Sequence, residues 1–314
     1  MKVLPKPEHG SLDWLAARHR DDDGRCTFGA SDAPTLMGVS PYRSRADLWV
    51  DKRTAPTISE QTDVFMRGNL LEPVLLAEAG RRLGIDIETP PVMYRHGRFT
   101  VTLDGVDDVD APQVIVEAKT TTRYRVRTAD DLPSLWLYQG WAQQLVVEAP
   151  VMFVVLDADQ VVSLVEMPTN GDAINALIAE AEAFGSAIDS GDDAEPALVD
   201  EMDAEHIAAL WRPQPTSIEL GDTAAEWLAM LDDARRAADD AKEQEKVAKD
   251  AIARLLLDHE VGTIGCQKVV SWKEQKGKVS LDAKALRADH PDLVSRYERV
   301  GDPFRVMRIH RPKQ

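Results

Sequence analysis

Apolar positions recur along this chain in two periods, and the switches between them divide it into elements. Residues 11–20 have helical spacing, with Ser11 placed to cap and Trp14 and Leu15 supplying apolar contact. A short helix is expected from Ser31 or Asp32 to Met37, stopped by Gly38, and another carries Leu48, Trp49 and Val50. Polar residues 54–61 form a linker. Residues 62–83 read as a helix that Pro73 kinks or restarts. Strands are expected at 92–94, 98–103 and 113–119, a largely buried helix at 133–147, strands at 151–156 and 160–167, and a helix at 172–188. The order α, βββ, α, ββ, α describes a mixed central sheet flanked by helices, of α/β or α+β class.

The acidic segment 189–198, containing Pro and Gly, is the expected boundary between a body at 1–190 and an extension at 200–314. The extension begins with a short helix at 204–211. A long helix at 222–259 follows, in which Trp227, Leu231, Ala234, Ala238, Ala241, Glu245, Ala248, Ile252 and Leu255 recur at alternating four-three spacing. That is a heptad seam with a small-residue middle, and packing within the chain is its preferred use. A strand beyond Gly262, a short helix at 282–288 and a last strand at 304–309 complete the extension. The tail is basic, with Arg305, Arg308, Arg311 and Lys313.

Chemistry concentrates in residues 98–127, RFTVTLDGVDDVDAPQVIVEAKTTTRYRVR. If the strands at 98–103 and 113–119 pair about a turn near Asp110, Asp104 falls opposite Glu117. Period-2 geometry puts Glu117 and Lys119 on one face. Two close carboxylates raise each other's proton affinity, and a hard divalent cation such as magnesium or manganese relieves the repulsion. Solvated charges at strand ends are the plain alternative. Glu72, in an apolar run, is either a first-turn charge favoured by a helix dipole or part of a site. Gln139 and Gln143 share a helix face and either meet the carboxylates or form a polar stripe. Ser31 either caps its helix or meets a phosphate together with Arg25.

Composition narrows the class. A chain of 314 residues with 44% hydrophobic content can bury a substantial core. No apolar run approaches the ~20 residues of a membrane span. The first residues lack a secretory apolar region, and Cys26 and Cys266 have no CxxC spacing, so a reduced cytoplasmic setting is expected. A net charge of −17 opposes nucleic-acid binding unless basic residues cluster, and Arg123, Arg125 and Arg127 offer a candidate cluster.

Taken in order, GASDAPTLMGVSPYRSRADLW, GNLLEP, TLDG, VEAK and LYQGWAQQL resemble the YqaJ-like viral recombinase family, phage alkaline exonucleases of the PD-(D/E)xK superfamily. The resemblance covers about residues 24–190, with Leu103 standing where the signature has proline. It implies a restriction-endonuclease-like core and a magnesium-dependent 5′→3′ exonuclease on linear double-stranded DNA, manganese being able to substitute, with one or two ions. Asp104 and Glu117 are implied metal ligands with the Ala118 carbonyl, Lys119 the catalytic lysine, and Glu72 and Gln139 lining residues, Glu72 as a further ligand. Ser31, Arg25 and Thr102 are implied to hold a 5′-phosphate; Arg123 and Arg125, from the basic cluster, are the further candidate DNA contacts. The implied product is a 3′ single-stranded tail for a single-strand annealing protein, and rings of subunits around DNA are implied as an assembly.

Two other functions fit the same residues. One is a related endonuclease or RecB-like repair nuclease; a Cas4-like iron–sulfur nuclease is excluded by having only two separated cysteines. The other is a non-catalytic DNA-binding scaffold built on the long helix.

Overall fold

The computed structural model describes residues 1–314 except 59–61, 278, 302–304 and 310–314. It forms two compact units, Met1–Arg212 and Pro213–Gln314. The first unit therefore runs beyond the acidic segment at which a boundary was expected.

The first unit begins with β1 (Lys2–Pro5) and α1 (Leu12–His19), the latter capped by Ser11, whose hydroxyl accepts from the Trp14 N–H. A 3-10 turn (Ala30–Asp32) leads into α2 (Ala33–Leu36), and α3 (Arg45–Arg53) starts with a capping box of Ser44 and Asp47. Next is α4 (Asp63–Leu83), unbroken through Pro73. The missing proline N–H falls on an exposed turn, where water can serve the freed carbonyl.

Then come β2 (Val92–His96), β3 (Phe99–Val101), β4 (Gly105–Val106), β5 (Ile115–Thr120) and α5 (Ser134–Val147). They are followed by β6 (Val151–Leu156), β7 (Val162–Glu166) and α6 (Gly171–Ser190), then the short α7 (Pro196–Asp200) and α8 (Ala204–Leu210). One sheet is antiparallel, in the order β1-β2-β3. The other has the order β4-β5-β6-β7 and is mixed, because β5 and β6 run parallel.

One expected pairing is wrong in a useful way. Residues 98–103 do not pair with 113–119: β3 pairs with β2, His96 opposite Phe99. Gly97, at φ 53°, supplies the positive φ that a two-residue hairpin turn needs, and that local turn wins. The partner of β5 is instead the two-residue β4, with Gly105 opposite Val116. Extending that register by one residue still sets Asp104 against Glu117.

The two faces of the mixed sheet pack against different helices. Val116 and Val154 are buried against Leu75, Leu76 and Ala79 of α4. Ile115, Phe153 and Val155 join the larger core, which includes Trp136, Trp141 and Val146 of α5. Alternation along β5 therefore turns Glu117 and Lys119 toward α5.

The second unit holds α9 (Gly221–Leu256), a hairpin of β8 (Val261–Ile264) and β9 (Gln267–Ser271), and the short α10 (Ala283–Asp289) and α11 (Pro291–Ser295). Trp227, Ile252 and Leu255 on the heptad seam are exposed, so the seam is not buried within this unit. The seam has the period for a partner helix. The expected strand at 304–309 is not formed at 305–309, and Phe304, Arg311 and Lys313 lie outside the described residues. Among the described residues no helix is long and apolar enough to cross a membrane.

Candidate active site

The sheet edge, α4, α5 and the segment after α1 enclose a cleft of about 560 Å³. Asp104, Glu117, Lys119, Glu72 and Gln139 line it, as do Ser31 and Thr102. Residues widely spread in sequence thus converge.

Glu117 is only 2% exposed and fully engaged. Its Oε1 accepts from Lys119 Nζ at 2.6 Å and from Gln139 Nε2, and its Oε2 accepts from Gln143 Nε2. Lys119 also donates to Gln139 Oε1 at 3.0 Å. Both glutamines therefore meet the site, as the buried face of α5 allowed. Gln143 is completely buried and its Oε1 has no partner. Asp104 accepts from the Ala118 N–H at 3.0 Å, which fixes one carboxylate oxygen against the end of β5.

Acids outnumber cations here. Burial, reinforced by Glu117 and Glu72, pushes the Asp104 carboxyl well above the usual range despite Lys119 and the Ala118 N–H. Glu72 is pushed up as well, by burial and then by Glu117. Burial works against the Lys119 charge, but Glu117 and Asp104 outweigh it and raise its proton affinity. Lys119 is therefore an ammonium at neutral pH, a donor of hydrogen bonds and charge.

The other wall of the cleft is basic. Arg18 Nη2 donates to Ser31 Oγ at 2.8 Å, and the Arg18 guanidinium lies 4.3 Å over the Trp14 ring. Its Nε is buried without a hydrogen-bond partner. Ser31 does not cap its helix: the 3-10 turn is closed by Asp32, which accepts from the Gly29 N–H at 2.9 Å. Arg18 escaped the sequence reading. Its signal was weak, an arginine one helical turn after Trp14 on the same face of α1.

Arg25 does not line the cleft and is held by Asp21 at 2.8 Å. Arg125 and Arg127 pair with Asp159 and Asp157, so their charges are already partnered. Arg123 instead lies 5.6 Å over the Tyr124 ring.

Among the described residues no three carboxylate, imidazole or thiolate groups are close enough to form a complete metal-binding set. Asp104 and Glu117 are nevertheless a fitting oxygen donor set for a hard cation, provided that backbone carbonyl, water or substrate oxygens complete it.

One family model covers the segment that carries most of these residues. Residues 13–148 match the model of the YqaJ-like viral recombinase domain. The segment holds Arg18, Ser31, Glu72, Asp104, Glu117, Lys119 and both glutamines. The uncharacterized protein YqaJ of Bacillus subtilis (strain 168) is 29% identical over 143 residues, which is 44% of this chain and 43% of that protein. The chain thus spans less than half the length of that relative. Two solved structures resemble the fold at low identity. An alkaline exonuclease from Laribacter hongkongensis is 16% identical, with a TM-score of 0.44 over 58% of this chain and 94% of its own. A phage-related exonuclease from Haemophilus somnus 129PT is 12% identical, with a TM-score of 0.41 over 53% and 95%.

Proposed function

We propose that this protein is a metal-dependent deoxyribonuclease that degrades linear double-stranded DNA from its 5′ ends. The observation that carries the reading is the convergence of Asp104, Glu117 and Lys119 at one sheet edge, with acids in surplus. The recombinase-domain match over the same residues supports it.

Asp104 and Glu117 would hold magnesium or manganese, with the Ala118 carbonyl and Glu72 at hand to complete the site. A bound ion supplies charge stabilisation at a phosphoryl oxygen and lowers the pKa of its water.

The chain's own residues do the rest. Gln139, Gln143 and Lys119 hold Glu117 in one orientation, so the donor set is ordered before substrate arrives. The Lys119 ammonium stands where it can meet negative charge as water attacks phosphorus. The bond from phosphorus to the 3′-oxygen breaks, and that oxygen takes up a proton. The released nucleotide carries a 3′-hydroxyl, and the new DNA end carries a 5′-phosphate. Arg18 and Ser31 on the opposite wall bind that terminal phosphate by charge-assisted hydrogen bonds. Each cleavage thus regenerates the group that the basic wall recognises. The remaining 3′ strand is a substrate for an annealing protein.

Linear duplex labelled at one 5′ or one 3′ end, with magnesium, tests the reading. Early loss of 5′ label in wild type and none in Lys119→Ala is expected. Early loss of 3′ label overturns the polarity, equal rates in both proteins overturn the site, and cleavage of closed circles points to the endonuclease.

A further inference from the structure

We infer that Gly29, Asp32 and Lys52 form a buried positioning element that presents Arg18 to the terminal phosphate. The inference rests on the end-phosphate reading above and assigns residues outside the cleft to it.

Lys52 is 2% exposed, and its ammonium lies 2.9 Å from Asp32 Oδ2. It also donates to the Arg18 backbone carbonyl at 3.4 Å, which the Thr27 hydroxyl meets from another direction at 2.9 Å. Lys52 is thus bonded both to the strand of chain carrying Arg18 and to the turn carrying Ser31.

Asp32 has three cations about it, Lys52, Arg18 and Arg43, and only Lys52 is in close contact. Arg43 stands at 3.6 Å from Oδ1, and the remaining near bond is from the Gly29 N–H. Burial alone would push this carboxyl up, but the three positive charges hold it far below the usual range. Asp32 therefore stays ionised and occupied. Among the described residues Arg18 makes no ion pair, although two carboxylates, Asp32 and Asp51, are close enough to favour its charge; Asp51 is paired with Arg43. Lys52 holds Asp32, so Arg18 stays on Ser31 with a buried Nε unbonded. A cation held in this way is ready for an anion.

Gly29 completes the arrangement by absence. A Cβ there would lie 1.8 Å from Arg18 Nη2, so the guanidinium rests on the bare glycine. The φ of −75° suits any residue, so the requirement is for space alone. Alanine would collide only with the tip of a flexible side chain and would move Arg18 off Ser31 while sparing the backbone.

The test compares kcat/KM on duplex ends bearing a 5′-phosphate or a 5′-hydroxyl, for wild type, Gly29→Ala, Lys52→Met and Lys52→Arg. Thermal melts establish which variants fold. Wild type is expected to prefer the phosphate by about tenfold or more, the worth of one or two charge-assisted bonds. In Gly29→Ala and Lys52→Met the ratio falls toward one, chiefly through a higher KM for the phosphorylated end, and Lys52→Arg restores part of it. A loss of fold would lower both substrates together and leave the ratio intact. A preference retained in folded Gly29→Ala overturns the positioning role alone. Active wild type with no preference overturns the end-phosphate reading, and this inference with it.

Discussion

The cleft lies beside two buried lysine–carboxylate pairs that differ in what surrounds them. Lys119 and Glu117 are joined by Asp104 and Glu72, so acids are in surplus, and burial together with those acids pushes the Asp104 carboxyl up. Lys52 and Asp32 are joined by Arg18 and Arg43, so cations are in surplus and the Asp32 carboxyl is held far down. Burial pushes both carboxyls up, and the shifts end opposite because neighbouring acids add to it at Asp104 while neighbouring cations reverse it at Asp32. The acid-rich end is short of a cation, and the cation-rich end is short of an anion. Under the proposed nuclease reading, a metal ion at the first end and a DNA-end phosphate at the second would supply those charges.

Removing either surplus should break the contrast, and the largest loss is expected at the acid-rich end. Lys119→Ala lowers cleavage by about 10²–10³-fold, the usual cost of losing one donor that faces developing charge. Single-turnover release of end label measures it. Arg18→Ala comes next, with a loss of roughly 10- to 100-fold confined to 5′-phosphorylated ends.

Asp104→Asn tests the surplus itself through stability. The Asp104 carboxyl binds its proton more tightly when folded, so its contribution to stability is complete below the unfolded carboxylate range, near 4, and is lost as pH rises through the raised folded value. The substitution removes that penalty. In chelated buffer it should raise Tm at pH 8 more than at pH 4, each kcal/mol relieved being worth about 2–4 °C in a unit of this size. Added magnesium should raise the Tm of wild type and leave the variant unmoved. No difference between the two pH values would mean that Asp104 bears no surplus.

The smallest effects are expected where charges are already balanced. Arg25→Ala and Arg125→Ala change cleavage by less than about threefold, because exposed ion pairs with Asp21 and Asp159 contribute only about 0–1 kcal/mol. A tenfold loss in either would extend the basic wall beyond Arg18.

Much of the fold was legible from period alone. Strongly periodic segments such as α4, α5 and α6 appear close to where their apolar spacing put them, since one buried face imposes that spacing. The strand at 98–103 was found but given the wrong partner, because strand pairing depends on turns, and the Gly97 hairpin outcompeted the longer connection. The acidic half of the site was legible as well: Asp104, Glu117 and Lys119 lie within one short stretch, and period-2 alternation fixes which side chains share a face. The arginine at the cleft was not legible. Arg25 stood in a charged turn near Ser31 in sequence, whereas Arg18 reached Ser31 across the packing of α1 against the loop after it.

The sequence by itself determined most of the elements and the shared face of Glu117 and Lys119, because these follow from repeats of two or 3.6 residues along a local chain. Only the tertiary structure decided which arginine faces the cleft, which lysine neutralises Asp32, that the Arg18 guanidinium packs against Gly29, and, through β4, the register that sets Asp104 against Glu117. Those depend on electrostatics and close contact between segments whose separation along the chain carries no record of their distance.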